Sequence, residues 1–340
     1  MSSAVSDHST IEKEYSILAG KLRRFHGKSP LWYLTQPGIV FRNIADIFLL
    51  LLGSVQSFFI LLLWRPRVVF IKGGYVGLPV GIAAILLRIP IVTHDSDTMP
   101  GLTNRLLSRY AAALAVGAPV SEYPQYAGKN IQFTGVPVRD DFLSPPATED
   151  AKKQLGIPEY KDIVVVVGGS LGAVRVNNAI LANIDKIVAD HSDRALLWFT
   201  GATSYDDIAK HVSAMHYANV HVQSFTDDLP TIFSAATVVI TRAGATTLAE
   251  LAVMKKPTIV IPNPLLTGGH QTKNAHMLLE NKAALVVPED ELATLPEVLD
   301  TLLSDTALQS ELQTNFAALS NPHASKTIAE VIIKTANGQY

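Results

Sequence analysis

Residues 225–274 read FTDDLPTIFSAATVVITRAGATTLAELAVMKKPTIVIPNPLLTGGHQTKN, and this stretch decides the fold. Thr237–Ile240 (TVVI) has the composition of a parallel strand buried on both faces. It runs into Thr241–Thr247 (TRAGATT), where small side chains let backbone N–H groups approach an anion at the start of a helix. A second strand, within KPTIVIP, ends in the polar loop GGHQTKNA at 268–275. Repetition of strand, ligand-facing turn and helix marks an α/β sheet whose ligands collect beyond the carboxyl ends of the strands. Glu250 falls about one turn into the helix after TRAGATT. A carboxylate there is not attracted to phosphate, so two readings stand side by side. It accepts hydrogen bonds from a sugar diol such as ribose, or it complements the helix N-terminus.

Working outward, the same grammar extends over most of the chain. Upstream lie IVVVVGG, the glycine turn GGSLGA (168–173), a helix from about Val174 to Ala189, and strands LLWFT and VHVQSF. Earlier still, the strand RVVFI (67–71) leads to the glycine loop GGYVGLP (73–79), then a helix, the strand IPIVT, and the polar stretch HDSDTMPG. The Pro-rich, polar run after GVPVR separates two units. The expected organisation is a first domain over 1–140, a linker over 141–160, a second domain over 161–320, and a closing helix over 321–340 that packs back toward the first domain. The fold class is α/β, with two doubly wound, Rossmann-like domains facing a cleft.

Composition limits the function classes. Of 340 residues, 48% are hydrophobic and 17% charged, with a formal net charge of -2 and no cysteine. This describes a globular chain of about two domains, without the basic excess of a nucleic-acid binder. Disulfides, thiolate catalysis and Cys-ligated zinc are excluded. The oddity is Ile47–Trp64, IFLLLLGSVQSFFILLLW, which holds no charge and is flanked by Asp46, Arg65 and Arg67. As a helix it covers roughly 27 Å, at the lower margin for a bilayer core. A transmembrane span, a buried core helix and a helix lying in the membrane surface are all open, with Ser54, Gln56 and Ser57 at its middle favouring either of the last two.

Several polar residues invite a chemical reading, each beside a plainer one. GGSLGA, with Ser170, has the strand–turn–helix setting of a phosphate site, and also that of a tight turn where helix meets sheet. It is neither GxGxxG nor a P-loop. His94, Asp95 and Asp97 look like metal ligands but lack a companion at a recognised spacing, so helix capping is the better account. Arg139 is a cation for the cleft or the partner of Asp140 or Asp141. His270 and Gln271 hold a diol or diphosphate edge, or cap their loop.

Taken together, GGYVGLPVGIAA, RIPIVTHDSD, PGLTNRLLS, TGVPVR, VVVGGSLGAVRVNNAI, FTDDLPTIFSAATVVITRAGATTLAELA, KPTIVIPNP and HQTKNA resemble the MurG transferases of glycosyltransferase family 28, in unbroken order from about residue 66 to 320. The resemblance implies a GT-B fold and inverting transfer of N-acetylglucosamine from UDP-GlcNAc to lipid I, forming lipid II, with no cofactor and no fixed metal. It also implies a peripheral location on the cytoplasmic face of the cell membrane. It puts donor contacts at Ser170 and at Ala243, Gly244, Ala245, Thr246 and Thr247, the donor ribose on Glu250, the GlcNAc on Gln271 with Asn274 close behind, and Arg139 in the donor site.

Two departures concern the acceptor side. The family opens with a strand and a GGTGGH-like loop whose histidine is a candidate base, and no such segment precedes GGYVGLP here, so the first domain is expected to be incomplete. The family's HEQN reads HDSD, which makes Asp97, with His94, the candidate catalytic pair. An incomplete gene start, completion by a separately encoded N-terminal fragment, and a diverged, non-catalytic UDP-sugar- or lipid-binding subunit are the three explanations. On any of them the isolated chain is expected to be a weak or inactive transferase by itself.

Overall fold

The structure, a computed structural model, describes residues 12–21, 36–168, 173–189 and 191–339. Ten strands form two sheets among these residues. Helix α1 (Pro37–Trp64) precedes β1 (Val69–Ile71), α2 (Gly77–Leu86), β2 (Ile91–Asp95), α3 (Leu102–Leu107), β3 (Ala113–Val116) and β4 (Ile131–Phe133). The sheet order is β1-β2-β3-β4, and β1 and β2 run parallel with Val69 opposite Ile91. By compactness the chain divides into one unit of Met1–His94, Gly101–Leu114 and Ile332–Tyr340, and a second of Asp95–Pro100 and Ala115–Val331.

Within the first unit, α1 has its polarity reversed. The residues it buries are Asp46, Gly53, Ser57 and Leu61, while Phe41, Ile44, Phe48, Leu51, Val55, Phe59 and Leu63 are exposed. It is therefore not a core helix: only 17% of its apolar window is buried. Its inner side packs on α2 in a small core that includes Leu61, Val69, Ile71, Ala83 and Ile91. Two of the polar residues at its middle, Gln56 and Ser54, bond to the chain itself. Gln56 accepts from Leu18 N (3.0 Å) and donates to Ser16 O (2.7 Å), fastening the extended segment 12–21. Ser54 Oγ bonds back to Leu50 O one turn earlier, a habit of hydroxyls inside helices. Gly53 is required by this contact, since a Cβ would sit 1.8 Å from Leu18 O.

The second unit continues with α4 (Thr148–Gln154), β5 (Asp162–Val167), α5 (Val174–Ala182), β6 (Arg194–Phe199), α6 (Tyr205–Met215), β7 (Val220–Gln223), α7 (Leu229–Ala235), β8 (Val238–Thr241), α8 (Ala245–Val253), β9 (Thr258–Val260), α9 (His270–Glu280), β10 (Leu285–Val286), α10 (Leu295–Ser304), α11 (Thr306–Ala318) and α12 (Ala324–Ala336). Its six strands are all parallel, in the order β10-β9-β8-β5-β6-β7. The apolar runs of β5, β6 and β8 are buried on both faces, as a parallel sheet covered by helices requires. The helix expected over 174–189 ends at Ala182 and resumes as a π turn over Asp185–Ala189. One buried polar bridge fixes α5 to the sheet: Asn177 donates to Thr200 O (2.8 Å) and accepts from the Trp198 indole (3.0 Å). Local signals set helix starts, as at α7, where Asp228 accepts from Thr231 N and Pro230 occupies the first turn.

One element differs from the sequence reading. His94 and Asp95 were expected in a polar loop, yet β2 continues through Asp95 and all five of its residues are buried. Burial of the Asp95 carboxylate is compensated by the Tyr126 hydroxyl at 2.8 Å, a partner 31 residues away that no local pattern announces.

Candidate functional site

The register of the large sheet assembles the site. Val167 lies opposite Thr241, Thr241 opposite Val260, and Val260 opposite Val286. The segments that leave these strands therefore start side by side at one end of the sheet: Gly168, Arg242–Thr247, Pro262–Gly269 and Val287–Glu289. In an open parallel sheet this is the end where ligands bind.

Arg242–Thr247 is built to leave donors free. Ala243 is fully buried, Gly244 caps α8 with φ -78 and ψ 129, and no side chain bonds to the first N–H groups of the helix. Nothing in the chain demands glycine at 244, where a Cβ would meet no atom within 4 Å. Its lack of a side chain opens the approach to the N–H groups of Ala245, Thr246 and Thr247. With nine residues, α8 carries a full N-terminal positive end.

Glu250 lies on the same helix and is only 9% exposed. Burial pushes its carboxyl up to about 7, opposed by the Arg139 guanidinium and helped by Asp141. Arg139 does form the ion pair that its plainer reading anticipates, with Asp141 at 3.0 Å. It also donates to Asp227 O (3.3 Å) and lies 5.3 Å from the Phe142 ring. The pair leaves it half-exposed and close enough to act on Glu250 electrostatically.

On α9, Gln271 accepts from Asn263 N at 2.9 Å, which fixes its oxygen and leaves its amide nitrogen without a partner among the described residues. Asn274 is 3% exposed. Its oxygen accepts from Thr98 N and Thr98 Oγ1, both at 3.0 Å, and its nitrogen donates to Asp97 Oδ1 (2.8 Å) and Ala243 O (3.0 Å). All its hydrogen-bonding capacity is committed to the chain, so it fixes the loop 97–98 against α9 and the α8 turn. Beside Thr98 and Asn274 lies a narrow cavity of ≈ 40 Å³ walled by Ala245, Leu248, Met277 and Phe316, too small for a substrate group.

His94 has no exposed surface, whereas Asp97 is half-buried. Its backbone oxygen accepts from the Tyr123 hydroxyl at 3.0 Å. Ser170 lies outside the described residues. Among those described, no group of three or more His, Cys, Asp or Glu is arranged to hold a metal ion.

Sequence reasoning missed Thr98, Arg175, Arg242 and Glu289. Glu289 is buried and pairs with both arginines, Arg242 at 2.5 Å and Arg175 at 2.7 Å. The only local signal was at Arg242, a charged residue directly after the end of β8. The set as a whole offers N–H groups to an anion, a carboxylate to a diol and a free amide to further hydroxyls, which is the chemistry of a phosphorylated, sugar-bearing ligand.

Comparison with known proteins agrees. Residues 163–330 match the glycosyltransferase family 28 C-terminal domain and residues 15–116 its N-terminal domain. A UDP-N-acetylglucosamine--N-acetylmuramyl-(pentapeptide) pyrophosphoryl-undecaprenol N-acetylglucosamine transferase of Listeria monocytogenes is 36% identical over 295 residues, 86% of this chain and 80% of that protein. The enzyme of the same name from Flavobacterium psychrophilum is 34% identical over 311 residues, 89% of this chain and 82% of its own length. Among solved structures, Acinetobacter baumannii MurG superposes with a TM-score of 0.67 at 26% identity, covering 85% of this chain and 79% of that one. A two-domain α/β architecture with parallel sheets, a site at the sheet's carboxyl end and these likenesses lead to one conclusion: the chain belongs to glycosyltransferase family 28.

Proposed function

We propose that this chain transfers N-acetylglucosamine from UDP-GlcNAc to lipid I, giving lipid II and UDP with inversion at the anomeric carbon. The observation that carries the reading is the pairing of an uncapped α8 N-terminus with the buried Glu250 on one helix, in a chain 36% identical to a transferase named for this reaction. In this reading the N–H groups of residues 245–247, Ser170 and Arg139 neutralise the diphosphate, Glu250 accepts from the ribose diol, and the Gln271 amide donates to the sugar. The acceptor hydroxyl attacks the anomeric carbon as the bond to the diphosphate oxygen breaks, so negative charge grows on UDP where the N–H donors and the cation stand. Asp97 receives the hydroxyl proton, being the accessible member of the His94/Asp97 pair. Residues 161–320 serve the donor and residues 1–140 the acceptor and the membrane.

Incubation of the full chain with UDP-GlcNAc and lipid I in vesicles is expected to yield lipid II and UDP. A folded chain that binds UDP but forms no lipid II over hours would overturn the transferase reading and favour a non-catalytic, partner-dependent subunit.

Attachment to the membrane follows from α1. Its outward apolar face belongs to a helix of 28 residues that contains an 18-residue window of mean hydropathy 2.3, and Arg42, Arg65 and Arg67 are exposed near its ends. Because the other side packs on α2, lipid cannot surround it, so the helix lies along the bilayer surface with its arginines at the headgroups. Leu51→Glu combined with Val55→Glu, two exposed positions, is expected to abolish flotation with anionic vesicles and leave UDP binding unchanged. Undiminished flotation of the double variant would exclude this face as the anchor.

A further inference from the structure

The loop after β9 is held in shape around Asn263. Pro262 and Pro264 flank this residue, and a proline fixes its own φ while confining the residue before it to extended geometry, so the backbone is restrained on both sides. The Asn263 side chain adds a third restraint. Its Oδ1 accepts from Leu265 N at 2.9 Å, the two-residue reach of an Asx turn. The backbone N–H of Asn263 is thereby aimed, and it donates to Gln271 Oε1 at 2.9 Å in the first turn of α9.

A backbone N–H only donates, so the Gln271 atom that meets it is the carbonyl oxygen, and the amide is prevented from turning end for end. Its NH₂ therefore points away from the loop with both donors uncommitted among the described residues. An amide without that bond offers an acceptor as readily as a donor, and the ligand must then do the ordering. Half-buried Asn263 removes that cost in advance. We propose that Asn263 is a positioning residue of the donor site, locking the Gln271 amide with its nitrogen outward so that the site takes a sugar presenting oxygen acceptors there; this rests on the reading of Gln271 as the sugar contact. Asn263 is assigned no contact with the diphosphate or the base, so its effect falls on the sugar alone.

The test compares UDP-GlcNAc with UDP by calorimetry on the full chain, because the change in the ratio of their affinities isolates the sugar. Asn263→Ala removes the acceptor for Leu265 N and frees the turn. UDP-GlcNAc binding is expected to weaken about threefold to tenfold, the scale of one side chain left for the ligand to order, with UDP binding unchanged. Asn263→Ser keeps a hydroxyl that reaches the same N–H more weakly, and it is expected to recover part of the loss. Unchanged binding of UDP-GlcNAc in Asn263→Ala, equal weakening of both ligands, or a Ser variant as impaired as the Ala variant overturns the proposal, since a merely structural role lowers both ligands alike. Gln271→Ala separates the two levels. If it leaves the ratio unchanged, the sugar-contact reading of Gln271 fails and the proposal with it; if it lowers the ratio while Asn263→Ala does not, only the role of Asn263 fails.

Discussion

Glu250→Ala is expected to weaken UDP binding by roughly 10- to 100-fold, the loss of hydrogen bonds between a diol and a charged acceptor, while pyrophosphate binding stays close to the parent's. The parent should in addition bind uridine more tightly as the pH rises. Burial pushes the Glu250 carboxyl up to about 7, and a diol donates to the ionised form, so binding favours loss of the proton. Uridine affinity should therefore climb roughly tenfold between about pH 6 and pH 8 and then level off. Uridine has no phosphate that titrates in this range, so the slope reports the carboxylate. Glu250→Gln should remove the slope. A parent with a flat profile, or a Gln variant that keeps the rise, would assign the titration to another group and reduce Glu250 to a helix-terminus acid.

The same group sets a linked stability effect of opposite sense. Burial raises the folded carboxyl to about 7, whereas a free glutamate titrates at 4.5. Its contribution to stability is fully present below the lower value and is lost as pH rises through the higher one. Melting of the ligand-free chain should accordingly fall over this window, and less so in Glu250→Gln.

The second large effect is expected at Asn274. Its four hydrogen bonds join Thr98 and Ala243, which are buried, and Asp97, which is half-buried. Asn274→Ala leaves a buried backbone N–H, a hydroxyl, a carbonyl and a carboxylate oxygen short of a partner. The cost is about 3 kcal/mol, since unsatisfied buried groups lose their full desolvation energy, and the melting temperature should drop by roughly 6 to 12 °C. Transfer activity should fall further than the melting temperature alone accounts for at a temperature where the variant is folded, because Asp97 and the α8 turn both lose their register. Asn274→Asp is a sharper probe: it keeps the acceptor for Thr98 but places a second carboxylate against Asp97 Oδ1, so it should be at least as damaging. A Tm within 2 °C of the parent for both variants, measured by calorimetry and judged against that scale, would mean that these bonds carry no net free energy.

Much of this was legible in the residues themselves. The alternation of apolar runs with glycine turns specified parallel strands and their helices, because a strand buried on both faces must be apolar throughout. TRAGATT declared an open helix N-terminus, since only small residues leave those N–H groups reachable. Glu250 and Gln271 were recognisable for a similar reason: a carboxylate and an amide directly after such turns have few structural duties. The reversed helix α1 was half-legible. Its uncharged length was obvious, but periodicity could not say that Gln56 is consumed by Ser16 and Leu18, nor that Asp46, Gly53 and Ser57 face inward.

What the sequence by itself determined, then, was the set of elements and the small-residue turns that connect them, because both follow from local composition and spacing. Only the tertiary structure decided which polar groups are available. Asn274 was expected at the ligand and is committed to Thr98, Asp97 and Ala243. Asp95 was expected in a loop and is buried in β2 beneath the Tyr126 hydroxyl. Glu289, unremarked in the sequence, pairs with Arg175, 114 residues earlier in the chain, and with Arg242. A side chain's free valence depends on partners brought to it by strand register and sheet order, and those partners lie tens to hundreds of residues away, where no local pattern reaches.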